Sequence, residues 1–349
     1  MEMTDILRRY QAPFKIQYAS AITSVQIQAM NAVLDCRTPR YGAMTLECTG
    51  CDWHSCQYHA CGNRACPRCQ NYDTTQWLEK QTRKLLPVEY FMVTFTLPYE
   101  LRSLVRNHQK TGYSHLLDSA RSTLLSFGEN HKKLGGQLGM TAVLHTHTRQ
   151  LEYHPHVHVI VPAVCIDRRR RHCSKLRGTY LFNAFALAKV FRARFLQALT
   201  DTGFKLPADI PQKWVADCQH VGKGLPALQY LSRYLYRGVI SESNILRDNG
   251  KEVTFGYVES DTQRYKTRTV SGETFLWLVY QHVLPKGFRR VRDYGFLNGN
   301  AKSTLRRIQL ALNVIIAKVP LRNRPVYHCK ACGAPLIVTA FIRPVWHSG

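Results

Sequence analysis

Seven of the twelve cysteines lie between Cys36 and Cys69, in a stretch that has no long apolar run. Such a segment cannot close a hydrophobic core by itself, and bound metal is the usual substitute. Cys48-x2-Cys51 and Cys66-x2-Cys69 are knuckle-type pairs separated by 14 residues. The x2 spacing turns the chain tightly enough for two thiolates to share one tetrahedral ion. The expectation is a structural zinc site built from Cys48, Cys51, Cys66 and Cys69, closed to substrate because four thiolates fill the coordination sphere. Cys36, Cys56, Cys61, His54 and His59 exceed the needs of one ion, and Cys329-x2-Cys332 is half of another site. Cys36, Cys61, Cys329 and Cys332 are therefore further candidate ligands.

Metal is preferred to disulfides because the chain reads as cytoplasmic, where thiols stay reduced. Its start, MEMTDILRRYQAPFKIQ, is polar and carries no secretory signal, and no run of about 18 apolar residues suggests a membrane span. Lys and Arg number 48 against 23 Asp and Glu, a formal net charge of +25 over the 349 residues. An excess this large repels itself in a compact state, so a polyanionic partner is expected, nucleic acid before any other.

The chain divides into three serial segments. Residues 1–75 are helical and then cysteine-rich, with Ile22, Val25, Ala29 and Val33 on one helix face. Residues 76–283 form the main domain: a buried strand at Tyr90–Leu97 stopped by Pro98, amphipathic helices over 115–127 and 181–199, and strands over 139–147 and 156–162 joined by a turn near Leu151–Pro155. Residues 284–349 are basic and end in the second cysteine pair. The fold class is α+β with an antiparallel hairpin. Arg168–Arg177 reads as a basic loop.

Two motifs in the main domain carry chemistry. In YHPHVHVIVP, residues 153–162, a period of two puts His154, His156 and His158 on one face and Val157, Val159 and Val161 on the other. Parallel imidazoles at adjacent same-face positions chelate one ion, which makes His156 and His158 the ligand pair; His154 flanks them, and His145-Thr146-His147 on the preceding strand offers either a third ligand or a neighbouring wall. The second motif, LPALQYLSRYLYRG, is bounded like a helix by Pro226 and Gly238. Its leucines gather on one side, with Tyr230 and Tyr234 roughly opposite and Arg233 and Arg237 beside them. Hydroxyl nucleophiles next to guanidinium groups suit a scissile phosphate. A phenol, titrating near about 10, needs the help that a metal gives. Mn²⁺ matches imidazole ligands better than Mg²⁺, which is the more abundant ion in cells.

Taken together, the DCRT-to-CPRC region (35–69), FTLPYELR (95–102), LHTHTRQLEYHPHVHVIVP (144–162), YLSRYLYR (230–237) and HVLPKGFRRVRDYGFL (282–297) resemble the rolling-circle insertion-sequence transposases of the IS91 group, two-tyrosine members of the HUH endonuclease superfamily. The resemblance implies a ferredoxin-like antiparallel nuclease sheet with flanking helices and an N-terminal zinc-binding module. It gives His156 and His158 the metal-ligand roles. Tyr230 and Tyr234 become nucleophiles that form 5′-phosphotyrosine links to single-stranded DNA at transposon ends and target, leaving a free 3′-OH. His147 stands where that family carries a tryptophan.

Two other readings account for part of the pattern: a plasmid replication initiator or relaxase with the same chemistry, and a zinc-containing DNA-binding regulator without catalysis. The second leaves the histidine strand and tyrosine helix unexplained. DNA contacts are expected from the zinc region and from Lys286, Arg289, Arg290 and Arg292, which alternate with Phe288, Tyr294 and Phe296 in a mix suited to phosphate contact and base stacking. Affinity for a single-stranded oligonucleotide should then fall steeply with salt, with a log–log slope of about −0.7 per neutralised phosphate. A flat response in a fluorescence-anisotropy titration would count against a phosphate-tracking surface.

Overall fold

Alternation along Tyr153–Pro162 decides the architecture, because this strand is paired on both edges and buries both faces. The computed structural model describes residues 1–69, 71–167, 172–235, 239–259, 261–315 and 326–345, with the backbone alone at 71, 72 and 233–235. The histidine strand is the middle of a five-stranded sheet whose spatial order is Val291–Tyr294, Met140–His147, Tyr153–Pro162, Tyr90–Thr96 and Ala216–His220. Every neighbouring pair is antiparallel. The strand begins at Tyr153, earlier than the sequence suggests, after a turn closed by Thr148 N–H donating to the Glu152 carbonyl at 3.0 Å. Pro155, which has no N–H to donate, sits beside the irregularity between His145 and His147, where the ladder is already interrupted.

One face of the sheet is apolar along its central strands. Phe91, Val93 and Phe95 join Val157, Val159 and Val161 in a core closed by Tyr113, Leu116 and Leu124 of helix Gln109–Glu129 and by Leu187, Phe191 and Phe195 of helix Ala184–Asp201. Asn183 caps the second helix by accepting from Ala186 N at 2.9 Å. The opposite face is split along its length. At one end Tyr90, Val143 and Ile160 pack under Ala227, Leu228 and Leu231 of helix Leu225–Leu235. At the other end, cross-strand pairing brings Thr94, His145, His156 and His158 together.

The chain alternates between two units. One comprises Tyr72–Tyr236 and Leu284–Ile316 and holds the five-stranded sheet; the other comprises Met1–Asn71, Arg237–Val283 and Ala317–Gly349. The serial division at 75 and 283 is thus redrawn. Val291–Tyr294, from the basic tail segment, is an edge strand of the histidine sheet, where Asp293 accepts from Thr141 Oγ1 at 2.6 Å and pairs with Lys84 at 2.6 Å. The N-terminal unit in turn has a core of its own, drawn from a distant stretch. Ile6, Leu7, Tyr10 and Phe14 of helix Met3–Gln17 are buried, as are Phe275 and Tyr280 of helix Gly272–Tyr280, and a Cβ at Gly272 would collide with the Tyr10 ring. Tyr18 stacks on Trp277 with ring centroids 4.8 Å apart, and Arg9 and Tyr10 both reach Asp248 at 2.6 Å. Metal supplements this core rather than replacing it.

Among the described residues no helix is long and apolar enough to cross a membrane. Phe95 is fully buried and its ring lies 4.6 Å from that of Phe191. Phe95→Ala should therefore cost about 3–5 kcal/mol of folding stability, read as a lowered urea midpoint. A change below about 1 kcal/mol would contradict the packing of this face.

Candidate active site and metal centres

The polar end of the sheet gathers three imidazoles. His145 and His156 face each other across one ladder, and Thr94 faces His158 across the other. One nitrogen from each of His145, His156 and His158 lies within 4.8 Å of the other two. The ring centroids are 5.2 Å apart for His145 and His156, 4.6 Å for His145 and His158, and 4.9 Å for His156 and His158. His156 Nδ1–H donates to the His154 carbonyl at 2.7 Å, and His158 Nδ1 engages Thr94 Oγ1 at 2.9 Å. Both contacts occupy Nδ1, the arrangement by which an outer partner fixes an imidazole's tautomer and turns Nε2 to a metal where one is bound.

Burial keeps these rings neutral. It pushes His158 down to about 3, and it lowers His156 against the opposing effect of the His154 carbonyl. His145 is driven well below the usual histidine range, first by burial and then by His158 and His156. Neutral, convergent imidazoles are the form in which histidine binds metal. The donor set, all nitrogen, fits a divalent transition-metal ion, Mn²⁺ included, better than Mg²⁺. His145 is the imidazole that completes this trio, at the position the sequence left open between ligand and neighbouring wall. Its i, i+2 twin His147 falls beyond the ladder irregularity and outside the trio. His154 serves through its carbonyl.

The tyrosine helix follows from its apolar stripe. Ala227, Leu228 and Leu231 bury against the sheet, and this turns Tyr230 towards the histidines. The Tyr230 ring is 37% exposed and lies 6.3 Å from the His158 ring, at an interplanar angle of 89°. Tyr234 continues the same helix one turn on. The side chains of Tyr234 and Arg233 lie outside the described residues, as do Tyr236, Arg237 and the Arg168–Arg171 part of the basic loop.

Two arginines stand beside the trio. Arg102, in the helix that starts directly after strand Tyr90–Thr96, carries a buried Nε with no hydrogen-bond partner among the described residues; its charge lowers both His154 and His156. Arg290 Nε donates to the Leu144 carbonyl at 3.0 Å, and its charge lowers His145 and His156. Sequence reasoning ranked Arg290 as a DNA contact and overlooked Arg102. The signal was present: Pro98 starts a helix where Thr96 pairs with His156, which brings the helix's first turn to the histidine end.

The cysteines are grouped differently from the expectation. Cys48 and Cys51 do not meet Cys66 and Cys69. The structure brings together Cys36, Cys61, Cys66 and Cys69 in one cluster and Cys48, Cys51, Cys329 and Cys332 in another. Strand Ala43–Cys48 turns back into His54–Tyr58, carrying the first knuckle to the far end of a small sheet, so the linear 14-residue spacing does not translate into proximity. In the first cluster a hydrogen bond from Cys61 lowers the Cys66 thiol to about 6, and the same bond, together with burial, raises Cys61.

A family profile described as "Transposase zinc-binding domain" matches residues 6–97, and one described as "Putative transposase" matches residues 139–304. The chain is 30% identical over 319 residues to "Putative transposase y4qJ" of Sinorhizobium fredii, covering 85% of this chain and 80% of that one. It belongs to the IS91-type transposases. The transposase for insertion sequence element IS801 of Pseudomonas savastanoi pv. phaseolicola is 28% identical over 353 residues, 92% of this chain and 85% of that one. A solved structure of TrwC complexed with a 27-mer DNA comprising the recognition hairpin and the cleavage site aligns with 65% of this chain and 75% of that chain at 12% identity; the TM-score of 0.28 is too low to equate the folds.

The partner of a transposase is DNA, and the basic segment after residue 284 divides accordingly. Lys286 and Arg289 are exposed, whereas Arg292 lies over the Phe288 ring at 5.3 Å and 3.8 Å from Asp118. Phe288 and Phe296, expected to stack on bases, are core residues of the transposase instead; Tyr294 is half-buried under Arg121. In this segment the aromatic residues alternate because they pack.

The buried histidines set a pH dependence. Between about 6.5, the ordinary histidine value, and the about 3 of His158, the unfolded chain takes up a proton that the folded one refuses. Metal-free transposase should therefore lose stability as pH falls through that window. In urea unfolding at pH 7 and pH 4.5, His158→Gln should lose less stability than the parent; equal losses would contradict the buried neutral imidazole.

Proposed function

We propose that this transposase cuts single-stranded DNA at the ends of its element with Tyr230 as nucleophile, beside a divalent ion held by His145, His156 and His158. The observation that carries the reading is the Tyr230 ring beside His158, at the mouth of a neutral three-imidazole cluster. A divalent ion there supplies Lewis-acid polarisation of the scissile phosphate. Arg102 and Arg290 add positive charge for the phosphate oxygens, where a guanidinium is well suited to hold a phosphate in line. Tyr230 Oη attacks phosphorus and gives up its proton; the bond to the 3′ oxygen breaks, and that oxygen keeps the electron pair and takes a proton. The products are a 5′-phosphotyrosine and a free 3′-OH. Attack by a 3′-OH on the phosphotyrosine reverses the sequence and joins strands.

Tyr234, one helical turn from Tyr230, is proposed as the second nucleophile, because residues four apart on a helix are neighbours and two covalent links could be held at one site. Two links in turn suit rolling-circle movement of one strand between donor and target. Exposed Lys286 and Arg289 are proposed as contacts to the DNA backbone.

The test is a covalent-adduct assay. Purified protein with Mn²⁺ and an oligonucleotide carrying an element end should give a protein–DNA band that survives denaturation. Tyr230→Phe should lower its initial rate by at least ~10³-fold, the scale on which deletion of a nucleophile acts in other enzymes. His156→Ala should abolish the adduct while oligonucleotide binding persists. An unchanged yield in the Tyr230→Phe, Tyr234→Phe double variant would overturn the reading.

A further inference from the structure

We infer that Cys329 and Cys332 complete a second zinc site with Cys48 and Cys51, an ion held less tightly than the one in the first cluster and joining the two ends of the chain's path. Neither family match reaches these last two cysteines, since the matches end at residues 97 and 304. Cys48 Sγ and Cys332 Sγ are 3.3 Å apart, Cys51 Sγ and Cys329 Sγ 3.8 Å, and all four sulfurs fall within 4.8 Å of one another. Each knuckle is already folded for a metal. Gly50 N–H donates to Cys48 Sγ at 3.3 Å and Ala331 N–H to Cys329 Sγ at 3.4 Å, amide bonds that stabilise a charged thiolate. Gly333, at φ +77°, closes the second turn by donating to the Cys329 carbonyl at 2.9 Å.

A small sheet aligns the two knuckles. Strand Leu336–Ile342 pairs antiparallel with Ala43–Cys48, with Leu336 opposite Cys48, and Thr49 N–H donates to the Pro335 carbonyl at 3.1 Å. Yet nearly every residue of Leu336–Ile342 is exposed, so the strand gains little from apolar burial. Four soft thiolates in a tetrahedral set select zinc and supply the missing stabilisation. Ligands separated by 278 and 284 residues make this a long-range cross-link rather than a local finger. Cys51 and Cys332 are exposed, whereas Cys36, Cys66 and Cys69 of the other cluster are buried. A chelator therefore reaches the second ion first, and as it leaves, the four thiolates take up protons.

Two measurements on the full-length protein test this. Metal analysis of the purified chain should give about two zinc ions, falling to about one in Cys329→Ser, Cys332→Ser; two ions retained in that variant would overturn the site. The parent protein gives an independent readout through thiol alkylation followed by peptide mass spectrometry, with exposed Cys56, which lies outside both clusters, as internal standard. Cys48, Cys51, Cys329 and Cys332 should react at least ~10-fold more slowly than Cys56 and become reactive together on adding EDTA, before Cys36, Cys61, Cys66 and Cys69 do. Alkylation of Cys329 and Cys332 at the rate of Cys56 would sink the proposal. So would protection that EDTA leaves intact, the signature of disulfides, and so would simultaneous release of both clusters, which would remove the difference in hold.

Discussion

The register of Tyr153–Pro162 against its two neighbours is the constraint on which the unit with the five-stranded sheet rests. Side chains alternate with a period of two, so one setting of this strand decides both what packs and what binds. With His156 opposite Thr96 and His145, the valines at 157, 159 and 161 enter the apolar core and the imidazoles collect on the other face. A slip of one residue would drive histidines into that core and strand the valines beside the tyrosine helix. The histidine cluster is thus specified by hydrophobic packing on the reverse side of the sheet.

Charge follows from the same placement. His145 is buried and His156 and His158 are half-buried at the polar end of a face whose other end is sealed by Leu228 and Leu231, and desolvation there makes them titrate low. Positive charge from Arg102 and Arg290 reinforces this by opposing protonation.

What could be read from the amino-acid order follows the range of each signal. The strand alternation, the histidine pair, the tyrosine helix with its leucine side and the family are all local patterns, and the α+β class follows from them. His145 was visible only as a possibility, because its partnership with His156 depends on the length of the Thr148–Glu152 turn. The cysteine grouping was not legible. Cys48 and Cys51 are nearer in sequence to Cys66 and Cys69, but their partners Cys329 and Cys332 arrive through strand pairing at the other end of the chain. The aromatic residues of the basic segment misled for a related reason: Phe288 and Phe296 look like stacking platforms until the edge strand Val291–Tyr294 draws them into the core.

The alternation of the chain between its two units, with Met1–Asn71 joined by Arg237–Val283 and Ala317–Gly349, has a consequence for synthesis. A ribosome that has made the first cysteine knuckle has not made a domain. Helix Met3–Gln17 must wait for Gly272–Tyr280, and Cys48 for Cys332, a delay on the order of tens of seconds at ordinary elongation rates. During that interval four of the five strands of the histidine sheet emerge, whereas its edge strand Val291–Tyr294 follows Gly272–Tyr280, so neither unit is complete before the other has begun. A message broken short of its end would yield an amino-terminal unit with an exposed helix face and unmatched thiols, which is the kind of species that quality-control proteases recognise.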